Sequence, residues 1–139
     1  MTHFVDTSAL VALLSATDRY HSVAATAWTS WLAEDVRLVT SNYVVTETTA
    51  LVQNRIGFDA VTALYGGILP VLQVEWIDAT LHSAAAAIMM SVRQRRLSLV
   101  DCTSFELMRR LGLRTVFGFD QHFIAQGFAC LPSRGDAPQ

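Results

Sequence analysis

Four acidic residues carry the chemistry that this sequence offers. Asp6 follows Phe4-Val5 and precedes Thr7-Ser8, Glu47 sits between Val44 and Leu51, Asp101 follows Ser98-Leu99-Val100, and Asp120 ends the run Val116-Phe117-Gly118-Phe119. Each has an ordinary reading when taken alone. Asp6 caps a helix, Asp101 closes a capping box with Ser98, and Glu47 reaches solvent from the edge of an apolar stripe. The repetition of acids at comparable junctions points further. Carboxylates converging on one crevice repel one another, so some must bind protons unless a cation sits among them. Oxygen-only donors favour Mg²⁺ or Mn²⁺ over zinc. Such a site acidifies water for attack on a phosphodiester, in many nucleases with two ions about 4 Å apart. The histidines His3, His21, His82 and His122 share no spacing, and only His122, next to Asp120, is placed to touch the site.

The elements that must position these acids are legible in the hydrophobic pattern. A short strand ends at Val5, a short helix runs from Ala9 to Leu14, and a longer one runs from about Ser22 to Glu34. On the longer helix Ala24, Ala27, Trp28, Trp31 and Leu32 form one stripe, which reads as core packing or, because it carries two indoles, as a partner groove. Arg37 to Thr40 is predicted as a strand, Ser41 as the cap of a helix from Tyr43 to Arg55, and Phe58 to Leu69 as a helix weakened by Gly66-Gly67. Leu72 to Ile77 is predicted as a strand, and Asp78 as the cap of a helix in which Leu81, Ala84, Ala85, Ile88 and Val92 share a face. A helix from Cys102 to Leu111, a strand from Arg114 to Phe119 and a short strand from Phe128 to Leu131 complete the pattern. Strand and helix alternate, which implies a mostly parallel sheet of four to five strands flanked by helices. In such a sheet the carboxyl ends of the strands face a ligand crevice.

Composition excludes several alternatives. A chain of 139 residues with 52% apolar content is expected to form one domain, here over 1–132, with 133–139 as a polar, disordered tail. No segment approaches the roughly 20 apolar residues of a membrane span, so a cytoplasmic protein without a membrane partner is expected. Cys102 and Cys130 form no disulfide framework and are expected to be reduced. All ten basic residues are arginine. A P-loop needs a lysine, and receiver domains normally carry one near the phosphoryl group, so both are unlikely readings. The net charge is −2, and with the four site acids set aside the remaining frame carries +2. Arg93, Arg95 and Arg96 close a helix, where they either complement its dipole or, with Arg109 and Arg110, flank the site and hold phosphates.

Four segments carry a family resemblance. Phe4-Val5-Asp6-Thr7-Ser8-Ala9-Leu10, Val44-Val45-Thr46-Glu47, Leu99-Val100-Asp101-Cys102-Thr103-Ser104-Phe105 and Phe117-Gly118-Phe119-Asp120-Gln121-His122-Phe123 resemble, in order and spacing, the four motifs of PIN domains. A single-domain chain of this size is most similar to the VapC-type toxins of toxin-antitoxin pairs. The resemblance implies an endoribonuclease dependent on Mg²⁺ or Mn²⁺, a small antitoxin that inhibits it, and a homodimer. It carries the family's four acids onto Asp6, Glu47, Asp101 and Asp120, with Asp6 and Asp101 as principal metal ligands. Ser8 matches the family's small hydroxyl, and Thr7 and Thr103 are the supporting hydroxyls beside it. Two alternatives remain: a PIN-like RNA-binding or scaffold module without cleavage, and an RNA-processing nuclease outside a toxin-antitoxin pair.

Overall fold

Five short strands, all parallel, form one sheet in the order β3-β2-β1-β4-β5. They are β1 (Thr2–Val5), β2 (Arg37–Ser41), β3 (Gln73–Glu75), β4 (Thr115–Phe117) and β5 (Ala129–Leu131). The structure is a computed structural model and describes residues 1–133, so the expected disorder of the tail lies outside the described residues except at Ser133. The central strand β1 pairs Phe4 with Val39 of β2 and Val5 with Phe117 of β4. Phe4, Val5, Leu38, Val39, Val116 and Phe117 are buried, as expected of parallel strands covered on both faces.

The helices are α1 (Thr7–Leu14), α2 (His21–Ala33), α3 (Asn42–Arg55), α4 (Phe58–Ala63), α5 (Ala79–Val92), α6 (Leu99–Leu111) and α7 (Gln121–Ala125). The caps read from the sequence form: Ser41 accepts from the Val44 amide at 3.1 Å and Asp78 from the Leu81 amide at 2.9 Å. Two elements differ from expectation. The helix expected over Phe58 to Leu69 stops at Ala63 and continues as a π-turn at Leu64–Ile68 and a 3₁₀ turn at Leu69–Val71. Gly66-Gly67 supplies little helix propensity there, and Pro70 lacks the amide that would continue the ladder. The helix expected to begin at Cys102 begins at Leu99, which puts Asp101 in its first turn.

Chain order and sheet order part company at one place. After β1 the chain adds β2 and β3 on one side, then returns through α5 and α6 to lay β4 against the other side of β1. The crevice beyond the carboxyl ends of β1 and β4 is therefore the topological switch point, where open α/β sheets bind ligands.

The tryptophans of α2 pack inward, whereas Leu32, at the edge of the expected stripe, is 43% exposed. The Trp31 ring lies edge-on to Phe117 with centroids 4.8 Å apart, and covers His3 at 4.9 Å. His3 is 1% exposed, its Nδ1 is 2.6 Å from Thr115 Oγ1, and burial lowers its pKa. Trp28 is half-buried against the same core. Trp31→Ala is therefore expected to cost about 3 kcal/mol of unfolding free energy, the usual loss for a large aromatic truncated in a core. Urea unfolding checks this, and a loss below about 0.5 kcal/mol would mean that Trp31 serves a partner surface instead.

Candidate active site

Asp6 is the first residue past β1 and the N-cap of α1. Its amide donates to the Phe117 carbonyl at 2.9 Å, so the residue still rides on β4. Its Oδ2 accepts from the Ser8 amide at 3.2 Å and from the Ser8 hydroxyl at 2.7 Å. Ser8 Oγ in turn accepts from the Phe119 amide at 2.9 Å. One hydroxyl thus ties the first acid to the loop that leaves β4. Gly118 makes the close approach sterically feasible: a Cβ at that position would lie 3.1 Å from Asp6 Cβ and 3.2 Å from Ser8 Oγ. Both neighbours are held, so neither yields easily.

The other acids arrive from three helices. Asp101, in the first turn of α6, accepts from the Ser98 amide at 3.1 Å, while Ser98 Oγ accepts from the Asp101 amide at 3.0 Å. Asp120 caps α7, accepting from the His122 amide at 2.9 Å. Glu47 projects from α3 into the same cleft as Thr7, whose own hydroxyl accepts from the Thr48 hydroxyl at 3.4 Å. The capping reading and the cleft reading both hold for Asp6, Asp101 and Asp120, because the capped helices start at the crevice. All four acids line one cleft of about 380 Å³ together with Thr7, Ser8, Asp18, Tyr20, Arg55 and Phe119.

The electrostatics of the cleft follow from burial. Asp6 is 3% exposed, and loss of solvent pushes its pKa up to about 7 in spite of the two Ser8 hydrogen bonds, with the charges of Asp101 and Asp120 adding to the rise. Burial also raises Glu47, opposed by Thr7 and reinforced by Asp101 and Asp120. Asp101 is raised by burial, opposed by Ser98 and reinforced by Asp120. Mutual influence at this range is what a shared cation would relieve. Among the described residues, donor atoms of Asp101, Asp120 and His122 lie within 4.8 Å of one another, close enough to share an ion. His122 Nδ1 is 2.9 Å from Asp120 Oδ1 yet makes no well-aligned hydrogen bond. The donor set fits a divalent cation: a buried carboxylate from Asp101 with the half-buried carboxylate of Asp120 and imidazole of His122 at the rim, while Asp6 and Glu47 line the cleft outside this trio.

The remaining residues singled out by sequence lie apart from this cluster. Thr103 is buried and its hydroxyl donates to the Val100 carbonyl at 2.7 Å, within α6. Arg93, Arg95 and Arg96 are exposed between α5 and α6, off the cleft lining, with Arg93 in the left-handed region at φ 55° as the C-cap of α5. Arg109 donates to Gln126 at 2.7 Å and lies over the Phe128 ring. The cation on the cleft lining is Arg55. Sequence reading missed it, together with Asp18 and Tyr20, which stand between the two helices expected over Ala9 to Leu14 and about Ser22 to Glu34.

Residues 3–129 match the PIN domain family. The chain is 36% identical over 126 residues to the 23S rRNA-specific endonuclease VapC20 of Mycobacterium tuberculosis, covering 90% of this chain and 94% of that protein. The crystal structure of Mycobacterium tuberculosis VapC20, described as a sarcin-ricin loop cleaving toxin, superposes with a TM-score of 0.81 at 35% identity over 93% of this chain and 97% of that one. FitAcB from Neisseria gonorrhoeae superposes with a TM-score of 0.65 at 19% identity over 94% and 96% of the two chains, a likeness of fold.

The raised acids give metal-free stability a definite pH dependence. Between the ordinary Asp value of 3.8 and the folded value of about 7, the native state keeps a proton at Asp6 that the unfolded chain has released. Stability without metal should therefore fall as pH rises through that window and level off above it. Asp6→Asn should reduce the fall. Urea unfolding in chelator at pH about 4.5 and about 7.5 checks this, and identical pH dependence in variant and wild type would contradict the burial of the Asp6 charge.

Proposed function

The chain belongs to the PIN domain family, and from that premise we propose that it is an endoribonuclease that cleaves RNA phosphodiester bonds as the toxin of a toxin-antitoxin pair. The observation that carries this reading is the convergence of Asp6, Glu47, Asp101 and Asp120 on one cleft at the switch point of the sheet. Asp6 and Asp101 would hold a Mg²⁺ or Mn²⁺ ion, with Glu47 and Asp120 completing the acidic pocket. A bound divalent cation supplies a Lewis acid that acidifies water and neutralises charge at the phosphodiester.

The chain's own residues set the conditions for that chemistry. Ser8 fixes the Asp6 carboxylate by donating to Oδ2 and receives the Phe119 amide, so the β1 and β4 junctions move as one. Thr7, in the first turn of α1, lines the cleft beside Glu47 and opposes the rise of its pKa. With its pKa pushed up to about 7, Asp6 is protonated for part of the time at neutral pH, and a cation held there would compete with that proton. Cation affinity is therefore expected to weaken as pH falls below 7.

The partners follow from the toxin reading and from the surface. A small antitoxin and a second copy of the chain would cover exposed apolar side chains such as Phe58 at 70%, Trp76 at 78% and Met90 at 63%. No helix among the described residues is long and apolar enough to cross a membrane. Action on RNA in the cytoplasm is consistent with that, and 23S rRNA, named for the relative VapC20, is the first substrate to test.

The test is cleavage of total RNA and of purified 23S rRNA in Mg²⁺, in Mn²⁺ and in chelator. Wild type should cut only with metal. Asp6→Asn and Asp101→Asn should each lower the rate by about 100-fold or more, the scale lost when a group that stabilises transition-state charge is removed, with circular dichroism unchanged. Cleavage in chelator, or wild-type rates in both variants, would defeat the proposal.

A further inference from the structure

A ladder of planar groups borders the acidic cleft, with two rings on its lining and a guanidinium over one of them from outside that lining. The Tyr20 and Phe119 rings are stacked with centroids 4.3 Å apart and planes 2° from parallel, and Arg19 Cζ lies 5.3 Å from the centroid of the Tyr20 ring. Both rings line the same cleft as the four acids. The ladder is anchored at both ends: the Tyr20 amide donates to Asp18 Oδ1 at 2.8 Å, and the Phe119 amide donates to Ser8 Oγ at 2.9 Å. Packing alone would account for two half-buried rings against the core. It does not account for their lining the acidic cleft, or for an exposed cation over the tyrosine.

We propose that this ladder is a nucleobase subsite, in which the base of an unpaired RNA nucleotide beside the scissile bond takes the place of Arg19 on the Tyr20 ring. The proposal deepens the endoribonuclease reading and rests on it. A base stacked on an aromatic ring binds more strongly than a guanidinium in an exposed cation–π contact, so the exchange is favourable. The displaced Arg19 then contacts phosphate, as does Arg55 elsewhere on the cleft lining. Both arginines are exposed, and neither pairs with a carboxylate among the described residues. A cleft filled with carboxylates otherwise repels an RNA backbone, and these two cations lessen that repulsion. Every base has a π-face, so the subsite recognises that a nucleotide is unstacked and not which base it carries.

The test uses the full chain carrying Asp101→Asn, in chelator so that RNA stays uncut, and reads fluorescence anisotropy with a labelled single-stranded hexaribonucleotide. Each nucleotide is replaced in turn by an abasic ribose. One abasic position should weaken binding about 10-fold, the scale of one stacked base. Tyr20→Leu should lose that position's effect and Tyr20→Trp should keep it. Arg19→Gln, at an exposed site that tolerates substitution, should lower the salt dependence of binding by about 0.7 in slope, one phosphate contact on a single strand. An abasic profile that is flat, or unchanged by Tyr20→Leu, overturns the subsite, and so does a salt slope unchanged in Arg19→Gln. If wild type cleaves RNA and the profile is flat, the subsite fails alone. If binding is base-dependent but wild type cleaves nothing, the subsite stands and the nuclease reading fails.

Discussion

The constraint on which this structure turns is a carboxylate buried without a cationic side chain beside it. Asp6 is 3% exposed and receives hydrogen bonds from Ser8, a neutral residue. Loss of solvent outweighs those bonds, and two further carboxylates act on it. Burial of a charge is tolerated when the charge is paired, neutralised by a proton or coordinated to metal. Across the cleft, the fold tolerates unfavourable electrostatics, seen in the raised pKa values of Asp6, Glu47 and Asp101. A strained, unsatisfied centre inside an otherwise consistent fold is the usual mark of a functional site.

The rest of the architecture serves that cluster. The switch in strand order between β1 and β4 opens a crevice where Asp6 and Asp120 both emerge. Three helices begin there, α1, α6 and α7, and their first turns carry Asp6, Asp101 and Asp120 as caps or capping-box partners. The unpaired amides at helix N-termini partly offset the negative charge, which lets the carboxylates approach one another at all. Gly118 and Ser8 then fix the spacing between the β1 and β4 junctions, one by leaving out a side chain and the other by bridging.

Much of this was legible in the sequence because local rules and the site coincide. Asp6, Ser98 with Asp101, and Asp120 announce helix starts by their own chemistry, and the alternation of apolar runs fixes a parallel sheet and hence the edge where acids matter. The four-motif resemblance added the order in which those acids meet. What was illegible depends on contacts between distant segments. Arg55 ends a helix and looks like dipole complementarity from sequence alone, yet α3 packs against α1 and brings its end to the cleft. Tyr20 stands in a turn-forming stretch, and only the return of β4 beside β1 sets Phe119 against its ring. Arg93, Arg95 and Arg96 show the converse, a conspicuous cluster in sequence that the fold leaves exposed between two helices.

If the four carboxylates form one electrostatic unit, a bound cation relieves their mutual repulsion. Thermal unfolding of wild type and Asp101→Asn, each in chelator and in saturating Mn²⁺, tests it most directly. Neutralising Asp101 removes a buried charge that acts on Glu47 and Asp6, so the variant should melt higher than wild type in chelator. Wild type should gain from the metal, by about 2.7 kcal/mol at a hundredfold excess over Kd, and the variant should gain little, so that the order narrows or reverses. If instead Asp101→Asn melts lower than wild type by the same margin in both buffers, Asp101 is only the capping-box partner of Ser98 and the acids do not form one unit.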